Sequence, residues 1–175
     1  MSDKSHLFED EKNPVSLAIY KSIPMSATQI SLNGSMSGNK HFYPLIVQYE
    51  DTDAGGVVYH SNYLNYAERG RSAFLRNIGI DLHRYLKEER KTILISKIEV
   101  DYLASARLNH CLIVETTVTN IGKVRLNLEQ IIKNQEDGHI FARLQVHAVW
   151  VELDKGARRL PDFMREKLRN REVEK

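Results

Sequence analysis

Between residues 92 and 153 apolar side chains recur at every second position, and just upstream lies one long segment with helical spacing. This single switch of period, without a return, excludes a doubly wound parallel sheet, in which helices and strands alternate. Four strands are legible. The first covers residues 93–103, with Ile98, Val100 and Tyr102 opposed to Lys97, Glu99 and Asp101. The second covers 111–120, with Leu112, Val114 and Val118 on one face. In the third, at 123–134, Val124, Leu126, Leu128 and Ile132 alternate with Arg125, Asn127 and Glu129. The fourth, at 139–153, aligns Ile140, Ala142, Leu144, Val146, Ala148 and Trp150, and the preceding QEDG carries the Asp-Gly signal of a tight hairpin.

The helical segment, residues 61–78 (SNYLNYAERGRSAFLRNI), places Tyr63, Ala67, Gly70, Phe74 and Ile78 on one stripe flanked by Leu64 and Leu75. The small Ala67 and Gly70 would let a sheet approach the helix axis closely, and Gly79 is placed to end the helix. Residues 44–50 (PLIVQYE) read as a strand with Pro44 at its start, 82–91 as a short charged helix, and 161–172 as a terminal helix. Both periods are satisfied by an α+β fold in which an antiparallel sheet of about five strands wraps around a long central helix. Residues 1–40, ending in SLNGSMSGNK, show no sustained periodicity and are expected to be a flexible extension, leaving 41–175 as one domain.

A chain of 175 residues with 42% hydrophobic residues suffices for one core. Lys and Arg number 25 against 23 Asp and Glu, and a net charge of +2 does not point to nucleic acid. Cys111 is the only cysteine, so there is no intrachain disulfide and the default location is cytoplasmic. No apolar run is long enough to span a membrane, and the acidic N-terminus does not read as a secretory signal, so the mature chain is expected to begin near Met1.

Functional residue types concentrate in the loop before the central helix, where Glu50, Asp51, Asp53, Tyr59 and His60 surround Gly55 and Gly56. A carboxylate there sits beside helix-start amides that have no partner within the helix and can bind an oxyanion. Glycines let a ligand approach without a Cβ clash. An Asp could attack an activated acyl group or deprotonate water. Asp51 and Asp53 could equally make an Asx-turn or a helix cap, and spacing alone does not choose between them.

Other chemistries fit less well. Asp51, Asp53 and Gly56 match three positions of a calcium loop, but Gly55 and Asn62 fall where ligands are required. No Gly-Lys-Ser/Thr follows the glycines, so a phosphate loop fails too. His110, His139 and His147 show no ligand spacing, Cys111 begins an apolar strand, and Glu68 with Arg71 reads as an ordinary helical ion pair.

The run at 49–63 (YEDTDAGGVVYHSNY), followed by YAERGR and ISKIEVDYLASARL, resembles the 4-hydroxybenzoyl-CoA thioesterase family, and within it the Tol-Pal-associated acyl-CoA thioesterases of Gram-negative bacteria. The resemblance covers about residues 44–168. It implies a hot-dog fold and hydrolysis of an acyl-CoA, by preference short-chain, to a carboxylic acid and free coenzyme A. No cofactor is implied beyond the CoA carried by the substrate. Asp53 would be the catalytic carboxylate, as nucleophile or general base, and His60 would supply a backbone amide and an auxiliary side chain. Gly55, Gly56, Val57, Val58 and Tyr59 would shape the substrate approach, and Arg125 would hold a CoA phosphate. The resemblance further implies a homo-oligomer, a dimer with shared active sites that pairs into a tetramer, and allows acyl carrier protein as a carrier. The rivals are a hot-dog hydratase or dehydratase, and a non-catalytic acyl-thioester or acyl-carrier-protein adaptor.

Overall fold

The computed structural model describes residues 32–169. The first 31 residues, most of the expected extension, lie outside them, as do the last six. In chain order the elements are β1 (Ser35–Ser37), β2 (Lys40–Ile46), a 3-10 turn (Tyr49–Asp51), α1 (Asn62–Asn77), α2 (Leu82–Glu89), β3 (Lys91–Tyr102), β4 (Cys111–Ile121), β5 (Arg125–Asn134), β6 (Ile140–Glu152), β7 (Gly156–Ala157) and α3 (Asp162–Arg169). One antiparallel sheet of seven strands has the order β1-β2-β4-β5-β6-β3, with β7 on β6. The four expected strands are present as β3 to β6: β4, β5 and β6 pair in sequence, while β3 pairs with β6 and not with β4, so the connection from β3 to β4 is not a hairpin. The additional strands are the short β1 and β7.

The core lies between α1 and the inner sheet face. Tyr63, Tyr66, Ala67, Phe74 and Leu75 meet Leu112, Val114, Val118, Leu126, Leu128, Ile132, Leu144 and Val146, all buried. Gly70 marks the closest approach, where an added Cβ would stand 2.7 Å from Val114 Cγ1. Beside it, Gln130 donates to the Ala67 carbonyl and to Thr116 Oγ1, both at 2.9 Å, and accepts from Arg71 Nη1 at 2.7 Å. Arg71 also bonds Glu68 Oε2 at 2.5 Å. The expected helical ion pair is therefore half a buried network, because the sheet supplies Gln130 as the second partner of the guanidinium.

The end of α1 follows its sequence. Gly79 takes φ +71°, Ile80 N donates to Leu75 O (2.8 Å) and Gly79 N to Arg76 O (2.9 Å), a Schellman closure. Lys167 Nζ from α3 donates to the Ile78 carbonyl at 2.9 Å, placing a cation at the helix C-terminus.

The N-terminal edge departs from expectation. The strand at 44–50 lies earlier, at Lys40–Ile46, and Pro44 is inside it. β1 reaches only as far as Phe42, so beyond that point β2 is a sheet edge on one side and a missing proline donor costs no ladder bond. After Ile46 the Asp51 carboxylate accepts the Gln48 amide at 2.8 Å and curls the chain into the 3-10 turn. Ser35–Ser37, grouped with the extension by composition, pair with β2 instead. That hairpin is tied to the core through Asn33: its carbonyl meets His41 Nε2 at 2.6 Å, and its side chain accepts from Arg76 Nε at 2.8 Å.

Candidate active site

The loop between the 3-10 turn and α1 is a small closed structure. Thr52 and Val58 form an antiparallel bridge, Asp53 N donates to Val57 O (2.9 Å), and Gly56 N donates to Asp53 O (2.9 Å). Gly56 is at φ +72°, which favours glycine at the tip. The loop is pinned to the β3–β4 connection at Ala106, whose carbonyl accepts from Val58 N and whose amide donates to Tyr63 Oη, both at 2.9 Å. Burial holds the Tyr63 hydroxyl above its usual pKa, against the opposing pull of the Ala106 amide.

The two aspartates are separated by environment. Asp51 is buried, its Oδ2 is occupied by the Gln48 amide, and its carbonyl accepts from Tyr59 N and from the Asn62 side chain, both at 2.9 Å. The buried Tyr66 hydroxyl lies beside this carboxylate at a geometry short of a formed hydrogen bond. Burial, then the Asp51 carboxylate, push that hydroxyl far above the usual phenol range. Asp53 is exposed; its Oδ1 accepts the Gly55 amide at 2.8 Å, the Asx-turn that its spacing allowed. Among the described residues its Oδ2 takes no hydrogen bond, so one oxygen orients the carboxylate and the other is available.

At the entrance of α1, Asn62 N donates to Tyr59 O at 2.8 Å, and Ser61 provides no side-chain cap. The amides of His60 and Ser61 take no hydrogen bond among the described residues, which leaves two donors beside the Asp53 loop. The His60 ring lies 4.4 Å from the Tyr59 ring and 6.3 Å from the Tyr102 ring, centroid to centroid, and Tyr102 Oη donates to the His60 carbonyl at 3.1 Å. Asp53, Gly55, Gly56, Val57, Val58, Tyr59 and His60 thus share one loop.

Arg125 is elsewhere. It begins β5 against Val149 of β6, whereas the Asp53 loop follows β2 at Ile46, which pairs with Cys111 at the start of β4. The length of β4 separates them by roughly 30 Å at about 3.3 Å per residue. Around Arg125 lies a cleft of about 550 Å³ that includes Ser96, Lys97, Lys123, Asn127 and His147. Ser96 marks the β3 bulge and donates to the His147 carbonyl at 3.0 Å, and His147 Nδ1 meets Asn127 Oδ1 at 3.1 Å. Sequence spacing missed Tyr102, which reads as one more alternating residue, and Ala106. Only the tertiary fold brings them to the helix entrance.

An antiparallel sheet wrapped on one long helix, with an acidic loop at the helix N-terminus, is the hot-dog fold. The chain belongs to the Thioesterase-like superfamily, whose profile matches residues 47–168. It is 38% identical over 95 residues to the acyl-CoA thioesterase YbgC of Haemophilus influenzae, covering 54% of this chain and 70% of that protein. Its fold matches a probable thioesterase from Bartonella henselae (28% identity, TM-score 0.66, 70% of this chain and 99% of that one). It also matches a 1,4-dihydroxy-2-naphthoyl-CoA thioesterase from Synechocystis (23% identity, TM-score 0.70, 74% of this chain and 95% of that one). Within the described residues, no helix is long and apolar enough to cross a membrane.

Proposed function

We propose that the chain hydrolyses acyl-CoA thioesters, by preference short-chain, with Asp53 as the catalytic carboxylate. The observation that carries this reading is a carboxylate with one oxygen, beside the amides of His60 and Ser61, that like them takes no hydrogen bond among the described residues, in a member of a thioesterase superfamily. The thioester carbonyl oxygen is received by those amides, which stabilise the negative charge that develops there. Asp53 either attacks the carbonyl carbon, forming an acyl-enzyme anhydride that water then cleaves, or takes a proton from a water that attacks directly. Both routes end in a carboxylic acid and free CoA. His60, whose ring lies against those of Tyr59 and Tyr102, serves in binding or proton transfer.

The assembly reading is a homodimer with shared sites. β3 is a long edge strand whose outer side carries no partner among the described residues, and Leu94, Ile95, Tyr102 and Leu103 on or just after it are exposed. Antiparallel pairing of two β3 strands would set the Arg125 end of one subunit against the Asp53 end of the other, so the basic cleft could receive the CoA phosphates in trans. Tetramer formation, a cytoplasmic location, a Tol-Pal setting and delivery by acyl carrier protein extend this reading by family resemblance.

Thiol release across an acyl-CoA chain-length series tests it. Wild type should release free CoA, and Asp53→Asn should be slower by two or more orders of magnitude. The reading fails if wild type releases no thiol, or if Asp53→Asn matches it. After one turnover in 18O-water, label in Asp53 supports the covalent route, with water opening the anhydride at the Asp53 carbonyl.

A further inference from the structure

The two peptide planes that present free amides at the entrance of α1 are held by different means. The N–H of His60 belongs to the Tyr59–His60 peptide, whose carbonyl accepts the Asn62 amide at 2.8 Å within the same turn. The N–H of Ser61 belongs to the His60–Ser61 peptide, whose carbonyl accepts from Tyr102 Oη at 3.1 Å, across 42 residues of sequence. Ser61 contributes no side-chain cap that could hold this plane locally. A hydrogen bond at a peptide carbonyl fixes the plane and also polarises the unit, making the N–H at its other end a better donor.

Tyr102 is itself well seated for this purpose. It closes β3 opposite Ala142, and its ring lies 5.6 Å from that of Tyr63 at an interplanar angle of 71°. Tyr63 is buried, and its hydroxyl accepts the Ala106 amide, the same residue whose carbonyl pins the Asp53 loop through Val58. One unit thus joins the end of β3, the loop after it, the Asp53 loop and the start of α1. The His60 ring stands edge-on to Tyr102 at 90°, so the tyrosine contacts both the backbone and the side chain of His60.

We propose that Tyr102 is a positioning residue for thioester hydrolysis: its hydroxyl orients the His60–Ser61 peptide so that Ser61 N–H joins His60 N–H as a second donor to the developing oxyanion. This rests on the function proposed above. The hydroxyl does not touch the substrate; it acts through the peptide. A donor whose bond strengthens as the carbonyl oxygen gains charge lowers the barrier without tightening substrate binding, so its loss falls on kcat rather than on KM.

The test compares wild type, Tyr102→Phe and Tyr102→Ala as full-length proteins, using thiol release from a straight-chain acyl-CoA series beginning with acetyl-CoA, together with thermal melting. Removing a direct oxyanion donor costs about 10²–10³ in kcat, so mispositioning one of two donors should cost less. Tyr102→Phe is expected to lower kcat about 5- to 20-fold with KM within about twofold, an unchanged melting midpoint and no further loss of kcat in Tyr102→Ala. Three results overturn the proposal: wild-type kcat in Tyr102→Phe; a rise in KM at constant kcat; or a kcat loss confined to Tyr102→Ala, which would assign the effect to the ring. If wild type itself releases no thiol, the proposed function fails and this inference falls with it. An active wild type with an indifferent Tyr102→Phe defeats this inference alone.

Discussion

Gly70→Ala places one methyl group at the point where α1 touches the sheet, and opposing effects of known size act on it. Alanine in a helix interior is favoured over glycine by about 0.8–1.0 kcal/mol, so on an open surface the substitution would stabilise. Here the new Cβ would lie 2.7 Å from Val114 Cγ1, 3.1 Å from Val114 Cβ and 3.4 Å from Gln130 Nε2. Val114 is fully buried and β-branched, so it has little rotameric freedom with which to yield. Overpacking a filled core costs about 1–3 kcal/mol, which leaves a net loss of about 0–2 kcal/mol after the propensity gain. Urea denaturation at fixed protein concentration should show a lower midpoint with an unchanged slope. The companion variant Val114→Ala opens the space that the methyl needs. The double variant should therefore be more stable than the sum of the single effects by about 1 kcal/mol or more. A Gly70→Ala protein more stable than wild type, or additivity within about 0.5 kcal/mol, would refute the close-approach argument.

Three further outcomes follow from the structure. Burial, opposed by its bond to the Asn33 carbonyl and reinforced by Arg76, holds His41 below the ordinary histidine value of 6.5. Its contribution to stability is therefore complete above pH 6.5 and is lost as pH falls through the folded-state value; a midpoint for wild type that does not fall more steeply than that of His41→Gln below pH 6.5 would contradict this. Gly55→Ala sets a Cβ 3.1 Å from Asp53 Oδ1, and displacing the carboxylate by a few tenths of an ångström should lower thiol-release kcat on the order of 3- to 10-fold, whereas an unchanged rate would show that the Asx-turn does not set its aim. Tyr63→Phe strips the buried Ala106 amide of its acceptor and should cost about 1–3 kcal/mol in chemical denaturation; a loss below about 0.5 kcal/mol would mean that another acceptor is within reach.

Much of the fold was legible because periodicity is a local property. Leu126, Leu128 and Ile132 alternate with polar neighbours over a distance that one strand spans, and Tyr63, Ala67, Gly70 and Phe74 repeat at the spacing of one helix. The edge at β1 and β2 was less legible. Whether Pro44 can sit inside a strand depends on where the neighbouring strand stops, and Ser35–Ser37 are ordered by Asn33, His41 and Arg76 across the fold. The Glu68–Arg71 pair was visible as i,i+3 spacing, but Gln130, which makes it part of a buried network, stands 59 residues away.

For the site, the sequence by itself determined the local parts: an acid-rich, glycine-containing loop immediately before a long helix, with amides that a helix start necessarily leaves unpaired. Spacing alone could not rank Asp51 against Asp53, because their environments differ by burial. The family resemblance points to Asp53, and the tertiary structure separates the two by environment, enclosing Asp51 against the Gln48 amide and Tyr66 while Asp53 Oδ2 takes no hydrogen bond among the described residues. Only the tertiary structure set Tyr102 behind the His60 carbonyl and put Arg125 at the far end of the sheet. Helix-start amides and Asx-turns arise from neighbours in the chain; partitioning two carboxylates and aiming a peptide plane require atoms brought together from distant segments.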